Sequence, residues 1–97
     1  MELIEVINKI STMYREELNK KGDVQLALVK IDNEFESARK DNWETMSYAK
    51  WAELNNRRDA LGRDREFHAT RAMAMFQVRE MFLELLEAEV DSDTGED

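Results

Sequence analysis

The sequence predicts an all-α protein in which a helical hairpin is followed by one long helix, the whole associating into an oligomeric helical bundle. Charged residues make up 37% of the chain, which holds no Pro and only three Gly. This composition is typical of long helices in few segments. The stretch from Ala69 to Leu86 also predicts a helix, because good helix formers dominate it and it contains no Gly, Pro, Asn or Asp.

The first helix is predicted to run from about residue 2 to residue 20. Its apolar side chains follow steps of four, three, four and four residues, at Leu3, Ile7, Ile10, Tyr14 and Leu18, a seam typical of packed helices. Lys20 and Lys21 suit the negative end of a helix. Gly22 suits the left-handed position after a helix, and Asp23 can cap the next one. The sequence therefore predicts a turn at residues 20–23.

The second helix is predicted over residues 24–40. The 4-3-4-3 spacing recurs in it, at Val24, Leu28, Ile31, Phe35 and Ala38. A connection as short as residues 21–23 makes the first two helices antiparallel neighbours.

The third helix is predicted from about residue 44 to residue 89. At 100° per residue, apolar residues on both sides of Gly62 point in nearly the same direction around the helix axis: Trp43, Leu54, Leu61, Ala72, Phe82 and Leu86. A restarted helix would have no reason to keep this phase, so we favour one helix through Gly62 at a cost of about 1 kcal/mol. A kink or break near Gly62 is the alternative. Residues 1–89 would form a single domain, and the acidic residues 90–97 a disordered tail.

The predicted lengths indicate self-association. The first two helices would each span about 25–30 Å, and a continuous third helix about 65–70 Å. The hairpin would therefore leave half of the third helix uncovered. Since a soluble monomer rarely tolerates so large an apolar patch, we expect a homodimer or a higher oligomer.

The composition also bears on chemistry and location. With no Cys, the chain offers no disulfide, thiolate ligand or thiol nucleophile. Its N-terminus lacks the basic and apolar regions of a signal peptide, and no apolar run approaches the roughly 20 residues of a membrane span. A cytoplasmic protein without membrane contact follows as an expectation. No catalytic constellation, cofactor site or metal site is predicted, because His68 with Asp64 supplies only two of the three or more ligands that a metal needs.

The function predicted first is a small acidic protein-interaction module, a homo-oligomeric adaptor or inhibitor that binds another protein. Small, acidic, Cys-free chains of this kind suit accessory proteins of phages and mobile elements. The predicted interaction surface is the apolar face of the third helix, formed by Met73, Met75, Phe76, Arg79, Phe82, Leu83 and Leu86. Arg79 lies within this face and would pair with an acid, either Glu34 or Glu36 or one from another subunit.

Two alternatives from other classes stay open. The first is nucleic-acid binding through a group of arginines, Arg57, Arg58, Arg63, Arg65 and Arg71. Against it, Glu53 and Asp59 stand four residues before Arg57 and Arg63, so the charges of each pair cancel on one helix. The second is an oligomer that binds a nucleotide or another small ligand in a pocket between subunits, lined by Arg79 and His68.

Overall fold

A computed structural model of the chain describes the backbone of residues 2–95 and the side chains of residues 2–90. It contains two helices, α1 (Leu3–Lys40) and α2 (Tyr48–Gly95). All regular structure within these described residues is helical, so the prediction of an all-α protein is confirmed.

The predicted hairpin of helices 2–20 and 24–40 is wrong, because α1 passes through Gly22 without a break. The 4-3 spacing explains this continuity. After Tyr14 the next seam position belongs to Glu17, which is only 4% exposed, whereas Leu18 is 38% exposed. With Glu17 and Lys21 included, the seam keeps one phase along the whole of α1, at Leu3, Ile7, Ile10, Tyr14, Glu17, Lys21, Val24, Leu28, Ile31, Phe35 and Ala38.

The chain reverses at residues 41–47 instead. Asn42 and Trp43 take left-handed backbone angles, with φ of 57° and 66°. The Trp43 amide donates to the carbonyl oxygen of Ala38 at 2.7 Å, which closes the end of α1 in the manner of a Schellman motif. Ser47 then caps α2, because its Oγ accepts a hydrogen bond from the Lys50 amide at 3.1 Å. Helix α2 therefore begins at Tyr48 rather than near residue 44.

Helix α2 continues through Gly62, as the constant apolar phase favours, and the alternative of a break there is wrong. It also extends past the predicted end at residue 89, to Gly95. Residues 96 and 97 lie outside the described residues. The disordered tail at 90–97 and the single domain at 1–89 stay predictions.

The chain divides into two compact units. Unit 1 combines Met1–Leu18 with Ala69–Asp97, and unit 2 is Asn19–His68. Within each unit a segment of α1 pairs with a segment of α2 in antiparallel direction. In unit 1, Tyr14 meets Phe76 and Glu17 meets Arg71. In unit 2, buried apolar residues of both helices form the core, at Leu28, Ile31, Ala38 and Leu54.

Candidate interaction surface

An arginine lies against two neighbouring aromatic rings in unit 1. Tyr14 on α1 and Phe76 on α2 have ring centroids 5.9 Å apart, and the guanidinium carbon of Arg79 is 5.4 Å from each centroid. At this distance the ring faces attract the cation. We call these three residues the Arg79 cradle.

The Arg79 guanidinium lacks a good acceptor within the described residues. Its Nε is buried and has no hydrogen-bond partner. The carboxylate recorded beside it, Glu80 Oε1, lies 3.7 Å from an Nη atom, which is too far for a hydrogen bond. Pairing of Arg79 with Glu34 or Glu36 is not seen: Glu36 instead accepts a 2.6 Å hydrogen bond from Arg39, which lowers the pKa of this exposed carboxyl.

One seam position of unit 1 holds a buried carboxylate. Glu17 is 4% exposed, and its Oε1 accepts a 3.0 Å hydrogen bond from Nε of Arg71. Arg71 itself is about half exposed, with its side chain at 48%. Burial of a carboxylate is tolerated where a charged donor compensates it. The 4-3 spacing could have located this position, but the search for an apolar residue led to Leu18 instead.

An apolar strip runs along one side of the seam in unit 1. We call it the apolar flank, and its members recur every seven residues: Ile4, Ser11 and Leu18 on α1, and Ala69, Phe76, Leu83 and Val90 on α2. Both series continue into unit 2, where Gln25 and Asp32 belong to the α1 series and Gly62 to the α2 series. These three residues line one groove, so the two series lie on the same side of the antiparallel helix pair. No member of the flank is charged.

Much of this apolar flank is open to solvent. Ile4 is 54% exposed, Leu18 38%, Phe76 37% and Val90 56%. Sequence reasoning found Phe76 and Leu83 but missed Ile4 and Leu18, although their spacing of fourteen residues is the signal that identifies them. Several exposed apolar side chains along one side of a helix pair are typical of a protein-protein contact.

The opposite side of the seam carries a second apolar group. It consists of Val6 and Met13 on α1 and of Val78 and Leu85 on α2, and we call it the second flank. Met13 and Val78 are each 40% exposed, and Leu85 is 55% exposed. Unit 1 therefore presents apolar side chains on both sides of its seam.

The predicted interaction residues divide between seam and surface. Four of them lie on the α2 seam, which follows steps of three and four residues, and are half-buried, namely Met75, Arg79, Phe82 and Leu86. Phe76 and Leu83 lie on the apolar flank, and Met73 is 57% exposed outside both flanks. The predicted face is therefore both an internal packing surface and an external one.

The predicted arginine group is not one free basic surface. Arg58 lies 3.5 Å from Asp32 and its guanidinium stands 6.0 Å from the Phe35 ring, while Arg65 donates to Gln25 at 3.0 Å. Arg57 and Arg63 are exposed. Arg71, which pairs with Glu17, belongs to unit 1, whereas the other four arginines belong to unit 2.

His68 is half-buried and its ring meets that of Phe67 edge-on, with centroids 5.3 Å apart. His68 belongs to unit 2 and Arg79 to unit 1. Among the described residues, no group of three or more His, Asp or Glu side chains is placed to hold a metal ion.

Comparison of the chain with protein-family models, with curated proteins and with solved structures finds no match. Neither helix, over its described part, contains a stretch long and apolar enough to cross a membrane.

Proposed function

We propose that this protein is a helical interaction module that self-associates through the apolar flank of unit 1 and presents its remaining apolar surface to another protein. The observation that carries the proposal is the exposure of apolar side chains on the apolar flank, from Ile4 to Leu18 on α1 and from Phe76 to Val90 on α2.

The chemistry of the flank favours a second copy as its occupant. An interface between copies pairs a patch with itself, so the patch must not carry charges of one sign at its centre. The apolar flank meets this condition, because its seven members are six apolar residues and Ser11. The corresponding series in unit 2 contains Gln25, Asp32 and Arg39, and so offers no such surface.

The arrangement of charge at the edge of the flank also favours a second copy. Arg15 stands four residues after Ser11, while Glu80 and Glu87 stand four residues after Phe76 and Leu83. Residues four apart are neighbours on a helix surface, so α1 borders the flank with a base and α2 borders it with acids. A second copy related by a two-fold axis can place its α2 against α1, with opposite charges facing each other.

A charged substitution on the apolar flank tests the proposal. We expect Ile4→Glu to dissociate the oligomer, because it places an unpaired carboxylate in the contact. Sedimentation velocity would measure the change. Ile4 is 54% exposed, so the variant should keep its helical circular dichroism.

Phe67→Glu is the matched control, since Phe67 is 56% exposed and lies in unit 2, outside the flank. We expect this variant to sediment as the unaltered chain does. Equal association of the unaltered chain and the Ile4→Glu variant would overturn the assignment of the flank as the contact.

The second flank is the proposed site for another protein, so that the chain acts as an adaptor or inhibitor. Its support is the exposure of Met13, Val78 and Leu85, together with Met81, which is 63% exposed and stands three residues after Val78 and four before Leu85. Methionine-rich surfaces adapt to varied partners because the thioether chain is flexible. Nucleic-acid binding has less support, since Arg58, Arg65 and Arg71 already contact side chains of α1.

A further inference from the structure

The Arg79 cradle borders the apolar flank, and Arg79 is a partly buried charge that lacks a good acceptor among the described residues. Phe76 is a member of the flank, and Arg79 stands four residues before Leu83, the next member. The Arg79 side chain is 26% exposed. Its contact with Phe76, a member of the flank, places the guanidinium beside the flank.

An arginine held in this way is prepared to receive a carboxylate. Contacts with two rings restrict the Arg79 side chain, so that less side-chain entropy is lost when a bond forms. Burial of Nε removes water from that donor without replacing it by an acceptor. A carboxylate that reached the Nη atoms would form a charge-assisted hydrogen bond and compensate the partly buried charge.

The acids that border the flank identify the source of this carboxylate. Residues 80–90 contain four glutamates and no base. Glu80 and Glu87 lie at the edge of the flank, four residues after Phe76 and Leu83, whereas Glu84 lies away from it. A second copy that places its α2 against α1 brings its own Glu80 and Glu87 toward Arg79, whose guanidinium carbon lies 5.4 Å from the ring of Tyr14 on α1.

We propose that Arg79 is the residue by which one copy of the chain recognises another, through a bond from its guanidinium to Glu80 or Glu87 of the second copy. The two-fold axis makes the bond reciprocal, so each interface contains it twice. This inference rests on the proposed self-association and names the charged contact that gives it specificity.

The substitution Arg79→Met tests the inference because its effect differs in sign between the two roles that Arg79 can have. If Arg79 receives a carboxylate of the second copy, the variant leaves that carboxylate unpaired at the contact. We then expect a dissociation constant raised about 30-fold or more, measured by sedimentation equilibrium. If Arg79 only packs against the two rings, methionine makes the surface beside the flank more apolar, and association stays equal or becomes tighter. That second result would overturn the inference.

Methionine is a good helix former and suits a seam position, so the variant should keep its helical circular dichroism. Glu80→Gln and Glu87→Gln test the acceptor, and we expect at least one of them to weaken association about tenfold. Glu84→Gln is the matched control on the same helix and should leave association unchanged or slightly tighter, since it reduces repulsion between acidic chains. If neither Glu80→Gln nor Glu87→Gln changes the dissociation constant more than Glu84→Gln does, the inference is also overturned.

The unaltered chain is measured first in this series. If it is a monomer at every concentration, the proposed self-association itself fails. If it associates and Arg79→Met associates equally well, only the role of Arg79 fails.

Discussion

Glu17 is a buried carboxylate at a position where packed helices normally hold an apolar residue. It is compensated by Arg71, whose Nε lies 3.0 Å from Oε1 of Glu17. The two partners differ in burial, because Glu17 is 4% exposed and the Arg71 side chain is 48% exposed. Removal of one partner should therefore have a different effect from removal of the other.

We expect Glu17→Leu to raise the free energy of unfolding by about 1–3 kcal/mol, because leucine fills the seam position while Arg71 can turn to water. Arg71→Met should lower it by about 1–3 kcal/mol, because the buried carboxylate loses a charged donor. Urea unfolding at one fixed protein concentration would measure both changes. A larger loss in Glu17→Leu than in Arg71→Met would contradict this account.

Burial of Glu17 is also the point at which the sequence no longer predicts the seam of α1. The seam predicted for the first helix was correct at Leu3, Ile7, Ile10 and Tyr14, and it failed at the next step. There the spacing required residue 17, but the apolar residue was Leu18. Spacing alone does not reveal that a glutamate can be buried, since that depends on Arg71, 54 positions away in the chain.

At the scale of the helices, the all-α class and the passage of α2 through Gly62 could be predicted from composition and phase. The position of the chain reversal could not be predicted. Two lysines, a glycine and an aspartate at residues 20–23 together form a good local stop signal for a helix, although no turn occurs there. The structure gives the turn to residues 41–47, where Asn42 and Trp43 adopt positive φ. The seam, which continues at Lys21 and Val24, outweighs the local signal at Gly22.

Gly22→Ala discriminates between a helix and a turn at this position. Gly22 has no positive φ, and a Cβ atom there would meet nothing within 4 Å. We therefore expect alanine to raise the free energy of unfolding by about 1 kcal/mol, as in a helix interior. A turn with Gly22 in a left-handed conformation would instead be destabilised by the Cβ atom.

Gly62→Ala is the matched comparison, because Gly62 also lies within a helix and also has nothing within 4 Å of an added Cβ. Thermal unfolding of both variants should show increases in Tm of similar size. A decrease in Gly22→Ala beside an increase in Gly62→Ala would restore the hairpin that the sequence predicted.

At the scale of the whole molecule, the proposed self-association depends on apolar side chains of unit 1 that stay exposed in the single chain. The sequence predicts an uncovered apolar face on its last helix, and two residues of that face, Phe76 and Leu83, belong to the flank. It did not predict that α1 contributes Ile4 and Leu18 to the same flank. Their contribution depends on the antiparallel pairing of two long helices, which the predicted turn at Gly22 concealed.

The most direct test of self-association is the solution mass of the unaltered chain, measured by light scattering over a range of concentrations. We expect a mass of twice 11.4 kDa, or a higher multiple, that falls toward that of the single chain only on dilution. A mass of 11.4 kDa at every concentration would contradict the account, because the apolar flank would then be exposed in a stable monomer.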